Sequence, residues 1–346
     1  TFITICAASQ RRRNGDYYEQ LNFTERRIYK SIYVSIVNKE SYVYIAHIKK
    51  ENLEKIYIGI SYDHPEIYYV DFSTVNYEID SCRIRLIFEY LFSRGILAII
   101  ENKTNQEIER IVSAMSSNSG KGIIQIEKSI HDYMVNSISY DYEALRNKSM
   151  NRCSFNIYGV INNRLAVCEG IAKFVKLTLN KLGIECFICG GKCTLENEKI
   201  EDHAWNIIKI EEDYYHIDVT WDIRKDDAQN KRIVSYDYFN LDDANISRDH
   251  FDFNMSFECT SMLYNYHAIM GRFISGKKQL IQLLSDGLAL RKNFSFRIKR
   301  TINTPDNIDD IVVETFNESV KYNGTNGKQY YLSANKSQLT YYVTVG

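Results

Sequence analysis

The 346-residue chain has no excess of one charge: Lys+Arg 43 against Asp+Glu 44 gives a formal net charge of -1. No whole-molecule field draws it to nucleic acid or an anionic membrane, so a partner has to be sought in a site. Long apolar runs are missing as well. No stretch approaches the roughly eighteen apolar residues of a membrane helix, which predicts a soluble chain with no membrane span. The opening Thr1 to Ser9 is too short for a signal-peptide core, and a start at Thr1 without Met leaves export unread from this end. Cysteine is sparse. The residues at 6, 82, 153, 168, 186, 189, 193 and 259 are too few and too uneven for a disulfide framework, and a reduced, mostly buried set is expected. Proline is nearly absent, 2 against 27 Tyr, a compositional drift from which no function is drawn. No solenoid or propeller repeat and no low-complexity linker breaks the sequence, so a continuous globular structure is expected.

What is present is 45% hydrophobic content, enough to bury a substantial core. Ile28, Ile32 and Ile36, then Leu53, Ile56 and Ile60, recur at three- and four-residue steps and predict two helices stopped before Pro65. Strands over 67–70, 75–79 and 84–92 and a helix over 105–115 fill out an N-terminal α+β region, residues 1–120. A helix over 123–138 opens the central region, 121–255. There Val167-Cys168-Glu169-Gly170 begins a helix with Ile171, Val175, Leu179 and Leu182 in one stripe and Gly183 as its stop. Strands over 184–189, 203–210 and 214–221 follow. Residues 256–346 read as a supporting α+β region, with a helix over 277–290 and strands over 294–298 and 339–345.

Cys168 is the one cysteine placed at a helix N-terminus, where unpaired N–H groups and the macrodipole favour thiolate. Downstream, Tyr215, Ile217, Val219 and Trp221 alternate as an apolar face and turn His216 and Asp218 to the other side. A turn centred on Glu211-Glu212 sets Asp218 opposite Trp205 and makes His203 its diagonal neighbour, within side-chain reach. Thiol, histidine and aspartate in this arrangement make a nucleophile, a base and its orienter.

Four segments resemble the bacterial transglutaminase-like superfamily in order and gaps: Ala166-Val167-Cys168-Glu169-Gly170-Ile171-Ala172-Lys173, Leu182-Gly183-Ile184-Glu185-Cys186, His203-Ala204-Trp205-Asn206, and Tyr215-His216-Ile217-Asp218-Val219-Thr220-Trp221-Asp222. Ile130-His131-Asp132-Tyr133, Tyr140-Asp141, Tyr158-Gly159 and Tyr236-Asp237-Tyr238-Phe239 extend the match to about residues 123–250. Ile171 departs from it, since many relatives place Tyr there. The resemblance implies an α+β fold with a papain-like core, the helix carrying Cys packed on an antiparallel sheet carrying His and Asp. It implies Cys168 as nucleophile, His203 as base and later acid, and Asp218 as orienter of the imidazole. The expected reaction is acyl transfer on a peptide or protein carboxamide through a thioester. Water as acceptor makes the enzyme a protease or amidase, a hydrolase; an amine makes it a crosslinking transglutaminase. The other class in view is a non-catalytic peptide- or wall-binding module on the same fold. Localisation stays open between an extracellular or cell-surface place, which the resemblance suggests, and a cytoplasmic one.

For the oxyanion, the Cys168 N–H is the first candidate donor and Tyr158 a second, set against a core role for that tyrosine. Trp205 is a candidate to roof the site. His216 reads as a surface or hydrogen-bonded strand residue. No metal or cofactor is expected: Cys186, Cys189 and Cys193 lie in strand, where 186 and 189 face opposite ways. Asp222, Asp226 and Asp227 read as a solvated loop without calcium-loop spacing. Arg11-Arg12-Arg13 and Arg26-Arg27 read as solvated clusters with no nucleic-acid motif.

Overall fold

The computed structural model describes residues 16–346 except 81, 117–121, 148–149, 196, 227–230, 254–256, 302–303 and 324–326, with backbone alone at 224–226 and 231–233. Cys6, Arg11, Arg12, Arg13 and Asp227 lie outside the described residues, as does the side chain of Asp226.

Helix α1 (Phe23–Val37) opens on a reciprocal cap: Asn22 accepts from the Glu25 N–H at 3.0 Å and the Glu25 carboxylate accepts from the Asn22 N–H at 2.9 Å. After β1 (Tyr42–Ala46), α2 (Lys50–Asp63) ends before Pro65 as expected, and the predicted stripes of both helices are buried. Residues 67–70 do not form the expected strand; Val70 makes an isolated bridge to Tyr90. Strands β2 (Asn76–Asp80) and β3 (Arg83–Ile87) pair with β1 in the order β1-β3-β2, and β3 stops short of Phe92. Helix α3 (Arg94–Ser116) begins well before residue 105.

Helix α4 (Ile123–Ser137) leads to β4 (Ser139–Tyr140), then α5 (Tyr142–Arg146) and β5 (Leu165–Ala166). Strands β4 and β5 pair in parallel with Tyr140 opposite Ala166, two residues before Cys168. Helix α6 (Cys168–Lys181) is followed by Gly183 at φ +81, the left-handed stop the sequence implied. Strands β6 (Cys186–Thr194), β7 (Ile200–Ile210) and β8 (Asp213–Ile217) form an antiparallel sheet. Ile207 pairs with His216 and Asn206 with Ile217, which centres the turn on Glu211-Glu212. Glu211 adopts φ +56 there. The expected strand over 214–221 ends at Ile217, because Asp218 caps helix α7 (Val219–Asp222), accepting from the N–H groups of Thr220 at 2.9 Å and Trp221 at 3.3 Å. Val219 and Trp221 therefore leave the alternating face.

Strands β9 (Ile223–Asp226) and β10 (Lys231–Val234) make a small ribbon. Helix α8 (Asp243–Ile246), β11 (His250–Phe251) and α9 (Tyr266–Ile269) follow, and β11 joins the sheet in the order β11-β6-β7-β8. Strand β12 (Phe273–Ile274), α10 (Lys277–Leu290), β13 (Phe294–Ile298), α11 (Ile308–Asn323), β14 (Tyr330–Asn335) and β15 (Thr340–Val345) complete the chain, with sheet order β12-β13-β15-β14. Neither α11 nor β14 was expected. Two of the four buried positions of α11, Thr315 and Ser319, are hydroxyls bonded back to Ile311 O and Thr315 O, which weakens the apolar period.

One hydrophobic cluster runs from Leu21 to Phe239, and a second, from Ile274 to Val343, belongs to the C-terminal sheet and its helices. Helix α6 lies inside the first. Its sheet-facing side meets Ile188 and Ala204, and the Asn206 amide donates to Ala172 O at 2.9 Å. The opposite face of the sheet carries Cys189, Trp205 and Ile207 against Cys259, Phe253 and Phe257. The expected single stripe understates this burial: Lys173 and Lys176 are also enclosed, held by Glu169 at 2.6 Å and Asp16 at 3.2 Å. Asp222, expected in solvent, is fully buried and accepts from the Asp237 N–H at 2.8 Å.

Gly170 carries the tightest approach on α6: a Cβ there would lie 2.4 Å from Ser154 O and 3.1 Å from Asn156 O, both backbone atoms. Gly170→Ala is expected to lower the denaturant midpoint by about 1–3 kcal/mol equivalent through overpacking. An unchanged midpoint would show that this contact is not tight in solution.

Candidate active site

Cys168 is the first residue of α6, and its N-cap, Val167, has no side-chain acceptor to claim the first-turn N–H groups. His203 stands on β7 with Nε2 2.7 Å from Asp218 Oδ2. The structure brings Cys168 beside this pair, the three exposed by 7% (Cys168), 7% (His203) and 1% (Asp218). Burial works against charge on His203, but the Asp218 carboxylate and the neighbouring Cys168 push it up to about 10. Burial likewise opposes the Asp218 anion, yet His203 beside it and hydrogen bonds from His203 and His250 hold its carboxyl below the usual carboxylate range.

The hydroxyl next to Cys168 belongs to Tyr140. Burial, and after it the neighbouring Cys168, push its pKa up. Parallel pairing of β4 with β5 delivers it, a long-range effect invisible in residue spacing. The Tyr158 ring instead packs on Tyr68 at 6.2 Å and Phe92 at 4.9 Å. Trp205 stacks on His203 at 5.9 Å, and its indole N–H donates to His216 Nδ1 at 3.0 Å. His216 is fully buried. A further residue, His250, places Nε2 3.1 Å from Asp218 Oδ2. It lies in a segment whose sequence shows no strong period.

Among the described residues, two clusters gather three metal-ligating groups: His203, Asp218 and His250, and His216, Asp243 and Cys259. In the first, the ligand atoms are already engaged with one another. In the second, His216 Nδ1 accepts from Trp205, so Nε2 carries the proton and meets Asp243 Oδ1 at 2.8 Å. An ion at Nε2 would require an imidazole stripped of both protons. Cys186 packs in the main core while Cys189 faces the other side of the sheet.

Residues 106–229 match a family model described as a transglutaminase-like domain, a span that includes Cys168, His203 and Asp218. Over that span the chain is transglutaminase-like. Its core is the papain-like arrangement, a Cys-bearing helix on an antiparallel sheet, within an α+β fold. Among solved structures, this transglutaminase-like chain is similar to a protein named a TGase, at 14% identity and TM-score 0.30, covering 56% of this chain and 54% of that one. It is also similar to a candidate cysteine protease from Cytophaga hutchinsonii, at 13% identity and TM-score 0.26, over 42% and 61% of the two chains. A candidate protease from Parabacteroides distasonis matches at 11% identity and TM-score 0.24, over 46% and 40%. The chain spans less than two thirds of the length of each. No curated protein matches it.

The shifted pair has a pH signature. His203 binds its proton more tightly when folded, so its stabilisation is complete below about pH 6.5 and is lost as pH rises through about 10. Asp218 acts in the opposite sense: its contribution is present above about pH 3.9 and is lost as pH falls through its lowered folded range. In urea unfolding, the wild type is expected to lose stability between about pH 6.5 and 10 in a way that His203→Ala does not. Equal alkaline slopes for the two proteins would contradict the coupling.

Proposed function

We propose that this transglutaminase-like chain is a cysteine-dependent acyltransferase acting on a peptide or protein carboxamide through a thioester. The observation that carries the reading is the hydrogen-bonded pair His203–Asp218 beside Cys168 at the N-terminus of α6. An imidazolium beside a thiolate is the resting state such a pair favours at neutral pH. The Cys168 sulfur attacks the carbonyl carbon and a tetrahedral oxyanion forms. His203 then gives its proton to the departing amine, and the C–N bond breaks to leave the thioester. Water or a second amine, deprotonated by His203, attacks the thioester, and the proton returns with the sulfur as leaving group. Water gives proteolysis or deamidation; an amine gives a crosslink.

The oxyanion needs donors that strengthen as charge develops. The Cys168 N–H and the neighbouring Tyr140 hydroxyl are the two donors at hand. A cavity of about 160 Å³ borders the first turn of α6, lined by Glu169, Lys173, Arg152, Asn156, Tyr62 and Phe72 among others. Its mixture of amide, charged and aromatic groups suits a polar peptide segment.

Cys168→Ala is expected to abolish turnover while leaving the near-ultraviolet circular dichroism unchanged. Alkylation mapped peptide by peptide is expected to label Cys168 well below pH 7, and His203→Ala to return it towards the reference thiol range near ~8.5. Burial and the nearby Asp218 push Cys193 up to about 12, so it should stay unlabelled, while exposed Cys82 serves as an internal reference. A Cys168 no more reactive than Cys82 would favour the binding-module reading. Product type separates the acceptors: a new amine terminus, released ammonia, or an incorporated labelled amine. Tyr140→Phe is expected to lower kcat by about 100-fold, the size of one lost oxyanion donor; an unaltered kcat would remove Tyr140 from the mechanism.

A further inference from the structure

We infer that His250 and Asp249 are positioning residues for the catalytic triad, and that the β14–β15 turn of the C-terminal sheet completes the active site by fixing Asp249. The inference rests on the proposed nucleophilic role of Cys168. It stands on an unbroken run of short contacts between buried groups. Asp218 Oδ2 is shared between His203 Nε2 at 2.7 Å and His250 Nε2 at 3.1 Å. The other nitrogen of His250, Nδ1, lies 2.7 Å from Asp249 Oδ1. Asp249 Oδ2 accepts from the Ser337 hydroxyl at 2.6 Å, the Tyr238 hydroxyl at 2.8 Å and the Gln338 amide at 2.9 Å. Ser337 and Gln338 both lie between β14 and β15, and Asn335 Oδ1 anchors them by accepting from the Ser337 hydroxyl at 2.9 Å and the Gln338 N–H at 3.3 Å.

His250 and Asp218 are essentially without solvent contact, so a partner lost from this run is not replaced by bulk water. The remaining oxygen of Asp218 is tied to the start of α7, and its shared oxygen is aimed at His203 only while His250 holds the other side. His250 is enclosed by Trp221 at 4.6 Å, Trp205 at 4.9 Å, His203 at 5.3 Å and Tyr238 at 5.5 Å. Cys193 faces it across the β11–β6 pair, and His216 senses it electrostatically. The titratable groups around it are therefore Asp218, Asp249, His203, His216, Cys193 and Tyr238. The C-terminal sheet has a hydrophobic core of its own. It reaches the triad through polar side chains, which makes its docking a condition on the geometry of Asp218.

The test uses the full chain and reads Cys168 alkylation against pH alongside kcat and KM. His250→Leu removes both contacts, and His250→Gln keeps a donor near the Nε2 position. His250→Leu is expected to lower kcat by about 10- to 100-fold, the scale of a misplaced catalytic group, with KM little changed and the low-pH labelling of Cys168 lost. His250→Gln is expected to restore most of both. Ser337→Ala combined with Gln338→Ala is expected to move the labelling profile in the same direction by a smaller amount. This pair decides the matter if His250→Leu fails to fold. A reactive wild-type Cys168 with an unchanged profile in these variants overturns the coupling alone. A wild-type Cys168 no more reactive than the other thiols overturns the nucleophile reading and the coupling with it.

Discussion

Asp218 is an ionised carboxylate with almost no contact with water, and such a group is tolerated only when donors surround it. Four contacts do so, and they come from three places in the fold: the first turn of α7, His203 on β7 and His250 on β11. The register of β7 and β8 is set by a turn at Glu211-Glu212, and that register carries the chain to Asp218 beside Trp205. His250 lies on β11, which pairs with β6 at the edge of the same sheet. Two strands and a helix start therefore converge on one carboxylate, and displacement of any of them would leave it short of a donor.

The same logic of enclosure governs Cys168. Helix α6 is buried against the sheet on one side and against α4 and residues 154–156 on the other, so its buried lysines survive as ion pairs and its glycine has backbone where a side chain would stand. An N-cap without an acceptor leaves the helix start open chemically, though not sterically. Tyr140 supplies the half-buried hydroxyl whose pKa responds to the Cys168 sulfur.

The resulting site is a dry one. His203 is held protonated chiefly by the Asp218 carboxylate in a low-dielectric setting, where charge pairs interact more strongly than in water. Most other described thiols, including Cys153, Cys189, Cys193 and Cys259, are pushed up by burial, so chemistry is confined by environment rather than by cysteine count.

The sequence by itself determined the parts that depend on short-range pattern. Apolar steps of three and four placed α1, α2, α4, α6 and α10, the Glu211-Glu212 turn fixed how residues 203 and 218 are paired, and the motif order carried the resemblance to a transglutaminase-like domain. It did not determine what lies across from those residues. Tyr140 reaches Cys168 through a parallel pairing of two-residue strands, His250 reaches Asp218 from an edge strand 32 residues on, and Ser337 and Gln338 arrive from a separately packed sheet. Asp222 read as a solvated loop residue, and His216 as a surface or hydrogen-bonded strand residue, because polarity alone cannot reveal that a second layer covers the sheet. Local periodicity reports which face of an element is apolar. Only the tertiary structure decides which distant polar groups meet once that face is buried, because their pairing is set by packing between elements.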